Sequence, residues 1–183
     1  MKIVLASASP RRAELIKKLG YAEVETCPSG AIEHTDKTAP EEVVVELAKL
    51  KAMSVHADVP VLGADTVVSV GNIILGKPHS EEEAFAMFRA LCGRTHSVYT
   101  GVCVTDGKKT VCGYEKTLVA FAPYDEKTVK EYIASGKPFD KAGGYGIQDK
   151  ELAPILRGIE GDYDNVVGLP VGLVDKLLRE NFL

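Results

Sequence analysis

Ile3-Val4-Leu5-Ala6-Ser7-Ala8-Ser9-Pro10-Arg11-Arg12 is the stretch from which the fold can be read outward. Four apolar residues predict a short buried strand, and Ser9-Pro10 reads as the cap and first position of a helix. A strand passing directly into a helix is the opening of an α/β arrangement. Arg11 and Arg12 fall in the first helical turn, where the helix dipole disfavours cations by a few tenths to about 1 kcal/mol. A nearby anion would remove that cost, because a helix N-terminus with free N–H groups suits phosphate. The alternative is a solvated helix start with two snorkelling arginines.

Beyond Arg12 the pattern continues to alternate. The first helix runs from about Pro10 to Leu19 and stops at Gly20. A second strand is expected over Ala22 to Cys27, followed by a polar loop from Pro28 to Ala39. The second helix extends from about Pro40 to His56, with Glu41 and Glu42 suitably placed in its first turn. Val59 to Ala64 forms a third apolar run ending at Asp65-Thr66, and Val67 to Val70 with Ile73 to Leu75 reads as a hairpin through Gly71-Asn72. Ser80 and Glu83 form a capping box for a helix reaching Leu91. Two long strands, about Thr95 to Thr105 and Lys108 to Ala122, turn at Asp106-Gly107. Asp125 caps a helix to Ser135, Lys141 to Gly146 is a glycine-rich loop, Ile155 to Ile159 reads as a strand, and Pro170 starts the last helix. The expected fold is α/β with a mixed twisted sheet and flanking helices, one domain over residues 1–183 with two lobes around a cleft.

Bulk properties narrow the function. A chain of 183 residues, 45% hydrophobic and 26% charged, has the composition of a soluble globular protein. A net charge of −4 argues against a broad basic face for polymeric nucleic acid, while leaving room for a small polyanion held by a few local cations. Cys27, Cys92, Cys103 and Cys112 have neither CxxC pairing nor zinc-like spacing with His, so they read as small core fillers in a reduced, cytoplasmic protein. Met1 leads straight into a strand without a cationic, apolar leader, and no apolar run approaches the roughly 18 residues of a membrane helix.

Candidate chemistry lies at the ends of elements. Val44, Leu47, Ala48 and Val55 share one stripe of the second helix, and Lys51 lies on it too. A lysine there either snorkels to water or requires a buried partner. Asp65, at the end of a buried strand, could hold a divalent metal or act as general base, or serve only as a turn residue. Lys77, in Gly76-Lys77-Pro78, is a second cation in a turn, or a plain surface lysine. Asp140-Lys141-Ala142-Gly143-Gly144-Tyr145-Gly146-Ile147-Gln148 permits close backbone approach to a ligand, and Gln148 can read a base edge; a flexible connection is the alternative. This is neither a Walker A loop nor a GxGxxG turn. His34, His56, His79 and His96 show no ligand spacing and receive no role. Scattered cations (Arg11, Arg12, Lys51, Lys77) with carboxylates (Glu33, Asp65) suit metal-assisted phosphoryl chemistry.

Six motifs occur in the same order as in a known family: Leu5 to Arg12, Gly63 to Thr66, Gly76 to Pro78, Gly93-Arg94-Thr95-His96-Ser97-Val98, Asp140 to Gln148 and Gly168-Leu169-Pro170. On these residues the chain resembles, end to end, the Maf family of nucleoside triphosphate pyrophosphatases. The resemblance implies a mixed α/β fold related to inosine triphosphate pyrophosphatases, with the active site in a cleft. It implies hydrolysis of a nucleoside triphosphate to the monophosphate and pyrophosphate with Mg²⁺ or Mn²⁺. By the resemblance Asp65 accepts the proton of the attacking water and Glu33 helps hold metal or water. Ser7, Arg11, Lys51 and Lys77 would bind the triphosphate. Arg12, Thr66 and Gln148 match the specificity positions of the branch acting on dTTP and UTP. Asp164 departs from the tyrosine or uncharged residue usual in Gly161-Asp162-Tyr163-Asp164-Asn165. The family is also linked to inhibition of septum formation, so a nucleotide-sensing regulator is the second reading. Homodimer formation is left open.

Overall fold

The opening strand and helix form where the sequence predicts them. A computed structural model describes residues 1–183, with β1 at Lys2–Leu5 and α1 at Pro10–Ile16. Ser9 caps α1, its hydroxyl accepting the N–H of Arg12 at 3.4 Å, and Pro10 occupies the first turn. Only seven residues are α-helical, and Lys17–Leu19 tightens into a 3₁₀ turn before Gly20. The remaining strands are β2 (Glu23–Thr26), β3 (Val61–Val70), β4 (Ile73–Leu75), β5 (Thr95–Thr105), β6 (Thr110–Phe121) and β7 (Leu156–Glu160). The remaining helices are α2 (Pro40–Met53), α3 (Glu81–Leu91), α4 (Glu126–Ala134), α5 (Tyr163–Val167) and α6 (Val171–Asn181).

The strands pair in the order β2-β1-β3-β5-β6-β7, with β4 added to β3. β1 is parallel to β2 and β3, whereas β3/β4 and β6/β7 are antiparallel, so the sheet is mixed as expected. Residues 1–66, 99–115 and 164–183 make one compact unit, and residues 67–98 with 116–163 make a second. In the first, Ile3, Leu5, Leu62 and Ala64 are buried with Val44, Ala48 and Ala52 of α2 and with Val174 and Leu178 of α6. In the second, Phe88 of α3 meets Tyr132 of α4 edge to face at 5.8 Å between ring centroids.

Local chemistry moves several expected boundaries. α2 ends at Met53 rather than His56, where the Ser54 hydroxyl turns back to the Lys51 carbonyl at 2.9 Å. β6 starts at Thr110 rather than Lys108, because the Asp106 carboxylate takes the N–H groups of Lys108 and Lys109 at 2.9 and 2.7 Å. The Ser80 hydroxyl caps α3 through the Glu83 N–H, while the Glu83 carboxylate returns to the His79 N–H instead of completing the box on Ser80. Pro170 sits at the cap of α6, one residue before the helix.

Two expectations require correction. Val59 to Ala64 and Val67 to Val70 are not separate strands: β3 runs unbroken over ten residues, and Asp65 lies within it. The cysteines are not uniform core fillers. Cys92 is buried and Cys27 exposed, while Cys103 and Cys112 are joined across β5 and β6 by a disulfide packed against Ala48 and Ala52. The reduced compartment inferred from cysteine usage therefore loses that support. No helix is long and apolar enough to cross a membrane.

Candidate active site

A close approach of helix to strand brings the first group of candidate residues together. A Cβ on Gly63 of β3 would sit 2.1 Å from the Ala48 carbonyl oxygen and 2.6 Å from the Ala52 nitrogen of α2. Gly101 of β5 likewise leaves room for the backbone at Val44. Without side chains at these points α2 rests on the sheet, and Lys51, which follows Ala48 by one turn, reaches Asp65 two residues beyond Gly63. Lys51 Nζ donates to Asp65 Oδ1 at 2.7 Å and lies 3.0 Å from Glu33 Oε2. Lys51 and Asp65 are each 8% exposed. Of the two sequence readings for Lys51, the buried partner is the one found.

Asp65 lies between the segments of β3 that pair with β1 and with β4, and β5 pairs with β3 as well. β1 matches β3 only through Val61 and Leu62, and β4 joins it from Val68 onward. The carboxylate thus lies just past the C-terminal end of β1, which satisfies the rule that ligands gather at strand ends although β3 itself continues. Glu33 comes from the polar loop, which is fastened to α2 on both sides. Ser29 and Ser54 hydroxyls meet at 2.9 Å, and Thr35 donates to the Glu46 carboxylate.

Arg12 belongs to the same unit and is held by neutral acceptors. Its Nε donates to the Gly168 carbonyl at 2.8 Å, Nη2 to Thr66 Oγ1 at 3.0 Å and Nη1 to Ser7 Oγ at 3.3 Å. Burial pulls this guanidinium below its ordinary pKa, with Asp65 and Glu33 opposing the shift and Arg11 adding to it. Thr66 Oγ1 also lies 2.9 Å from Thr100 Oγ1, which donates to the Asn165 carbonyl at 3.0 Å. Ser7 is 8% exposed, and Arg11 is half-buried. Ser7, Arg12, Glu33, Lys51, Asp65 and Thr66 thus form one polar group in the first unit.

Lys77 and Gln148 lie in the second unit, both exposed. Their loops are tied together, since the Gly143 N–H donates to the Gly76 carbonyl at 2.8 Å. Gly143 has φ +68° and no space for a Cβ, which would fall 2.8 Å from Val68 Cγ2. The expected glycine-rich loop includes a short 3₁₀ turn at Ala142–Gly144. Tyr132 Oη braces it further on, accepting from the Gly146 N–H at 3.0 Å and donating to Asp149 at 2.6 Å.

Several contributors were not found from sequence. Thr100 and the Gly168 carbonyl support Arg12 and Thr66, and a lone Thr in a strand carries no signal of that role. His96 has no ligand spacing in the sequence, yet its Nε2 lies 2.7 Å from Tyr145 Oη, and its ring packs edge-on against Tyr145 and Phe121. Burial drives its pKa down to about 4, so the ring is neutral at pH 7. No group of three or more His, Cys, Asp or Glu side chains is arranged for a metal. Glu33 and Asp65 both face the Lys51 ammonium, and one or two carboxylates completed by substrate phosphates are a common setting for Mg²⁺.

Over residues 2–181 the sequence matches the family described as Maf-like protein. A dTTP/UTP pyrophosphatase of Agathobacter rectalis is 46% identical across 98% of this chain and 97% of its own length. A dTTP/UTP pyrophosphatase of Thermococcus kodakarensis is 45% identical, with 98% of this chain and 97% of its own covered. Among solved structures, the Ham1 protein of Staphylococcus aureus aligns with a TM-score of 0.57 at 14% identity, covering 98% of this chain and 99% of that one. A HAM1 protein from Coxiella burnetii aligns at 0.54 with the same identity and coverage. At that identity the likeness concerns the fold.

Proposed function

This chain belongs to the Maf family, and on that footing we propose that it hydrolyses dTTP and UTP to the nucleoside monophosphate and pyrophosphate, removing them, and modified pyrimidine triphosphates like them, from the nucleotide pool. The observation that carries the reading is a buried carboxylate, Asp65, held through one oxygen by Lys51 beside the half-buried Arg12. Relatives about 45% identical over nearly the whole chain, named dTTP/UTP pyrophosphatases, support the substrate class.

Lys51 engages Asp65 Oδ1, which leaves Oδ2 to take a proton from water. The water oxygen bonds to the α-phosphorus, the bond from that phosphorus to the α–β bridging oxygen breaks, and pyrophosphate leaves with the base unchanged. The Lys51 ammonium offsets the negative charge that gathers on the phosphates, as do Ser7, Arg11 and Lys77 where they meet the triphosphate. Glu33 and Asp65 would hold Mg²⁺ or Mn²⁺, and a bound divalent ion supplies charge neutralisation at the phosphates. Arg12, Thr66 and Gln148 would read the base.

The test is pyrophosphate release across a nucleotide panel with Mg²⁺ or Mn²⁺, measured as phosphate after coupling to an inorganic pyrophosphatase. Turnover of dTTP and UTP is expected, with loss on chelation. Asp65→Asn should reduce kcat by about 10²–10⁴-fold, the usual worth of a general base. Absence of turnover with every pyrimidine triphosphate would overturn the proposal. A nucleotide-sensing regulator of septum formation would instead keep its effect in Asp65→Asn.

A further inference from the structure

We propose that Thr100 is a specificity-positioning residue: it fixes the Thr66 hydroxyl as a hydrogen-bond acceptor, so that Thr66 and Arg12 together read the imide edge, C=O beside N3–H, of uracil and thymine. The proposal rests on the reading above that Thr66 and Arg12 face the base.

The argument follows single protons along a chain of hydroxyls. The Asn165 carbonyl can only accept, so the contact at 3.0 Å requires the Thr100 proton to point at it. A threonine hydroxyl carries one proton, so Thr100 Oγ1 has only lone pairs left for Thr66. At 2.9 Å the Thr66 hydroxyl must therefore donate to Thr100. The guanidinium of Arg12 donates to Thr66 Oγ1 at 3.0 Å, and its direction is equally fixed because Arg has no acceptor. Thr66 thus has its proton committed to Thr100, one lone pair committed to Arg12 and one lone pair remaining. Toward a ligand it can only accept. Thr100 is fully buried, and its acceptor is a backbone carbonyl, so water has no route to reverse the direction.

Arg12 supplies the complementary half. Its three hydrogen bonds use one N–H each of Nε, Nη1 and Nη2, out of five N–H groups. The remaining two can meet a carbonyl oxygen. Donor and acceptor stand side by side, 3.0 Å apart. An imide presents C=O and N3–H in that order. Cytosine carries an unprotonated N3, whose lone pair would oppose the lone pair of Thr66. A side-chain amide can flip and a free hydroxyl can rotate, but Thr66 is locked, which makes it the discriminating group.

The experiment compares wild type, Thr100→Val and Thr100→Ser for binding of α,β-imido UTP and α,β-imido CTP by calorimetry, and for kcat/KM with UTP and CTP. Wild type should favour the uridine ligand by about tenfold or more, the scale on which an unmatched buried polar group discriminates. Thr100→Val keeps the shape and frees the Thr66 rotor, so the ratio should fall toward one. Thr100→Ser should restore it, which a loss of packing would not explain. A folded Thr100→Val with the wild-type ratio overturns the proposal, as does a wild type that binds both ligands equally. Should Thr100→Val fail to fold, 3-methyl-UTP decides on wild type alone. That ligand lacks N3–H and should bind as weakly as the cytidine ligand, and binding equal to UTP overturns the proposal. A wild type that prefers the uridine ligand yet releases no pyrophosphate from UTP refutes the hydrolysis reading and leaves this one standing.

Discussion

Lys51 keeps only a tenth of its side chain in water, and its ammonium faces two carboxylates. Removing one member of such a pair strands the other, which costs more than the pair contributes. Lys51→Met should therefore lower stability by about 3 kcal/mol, seen as a fall of roughly 6–12 °C in Tm for a chain of this size. His96 makes the opposite statement, since its ring is kept neutral. Its folded pKa of about 4 lies below the ordinary 6.5, so the unfolded chain binds a proton that the native state refuses. Its contribution is whole above pH 6.5 and shrinks as pH falls through that window, losing about 3 kcal/mol by pH 4. Urea unfolding at pH 7 and pH 4.5 checks this: His96→Gln, which can still bond Tyr145, should flatten the acid-side loss.

Among the elements, α2 and β3 depend on each other through an absent side chain. The missing Cβ of Gly63 lets the helix backbone approach, and Lys51 meets Asp65 only as a result. Gly63→Ala should cost about 3 kcal/mol or more by overpacking, and pyrophosphate release should fall with it because Lys51 is displaced. Calorimetry and the coupled phosphate assay on the same preparation measure both. Local signals explain which elements were legible in advance. Ser9-Pro10, the Ser80 cap and Asp125 each leave a recognisable mark, and all three cap their helices. Asp65-Thr66 interrupts an apolar run, and a polar pair within a strand looks like its end, so the sequence suggests two strands where β3 is one. The pair lies where the pairing of β3 passes from β1 to β4, which depends on neighbours distant in sequence. The Cys103–Cys112 link escaped for the same reason, since it depends on the register of β5 against β6.

Across the whole molecule, candidate residues drawn from positions 7 to 148 resolve into two groups, one in each unit. The two alternatives for Lys51 on its inward stripe, water or a counter-charge, were legible in the sequence. The hydroxyl relay behind Thr66 was not. Thr100 and Asn165 carry no charge, sit 65 residues apart and matter only through the direction of a proton. The Ham1-like fold and the Maf motifs speak to architecture and family, while the proposed discrimination between bases would rest on such quiet neighbours.

Arg12 donates its shortest hydrogen bond to the carbonyl of Gly168, a residue 156 positions later in the chain. On the ribosome, the amino-terminal strand and helix emerge long before that carbonyl exists. The guanidinium stays without its principal anchor until the segment around Gly168 has left the exit tunnel. A chain broken off before residue 168 therefore leaves Arg12 with only its hydrogen bonds to Ser7 and Thr66.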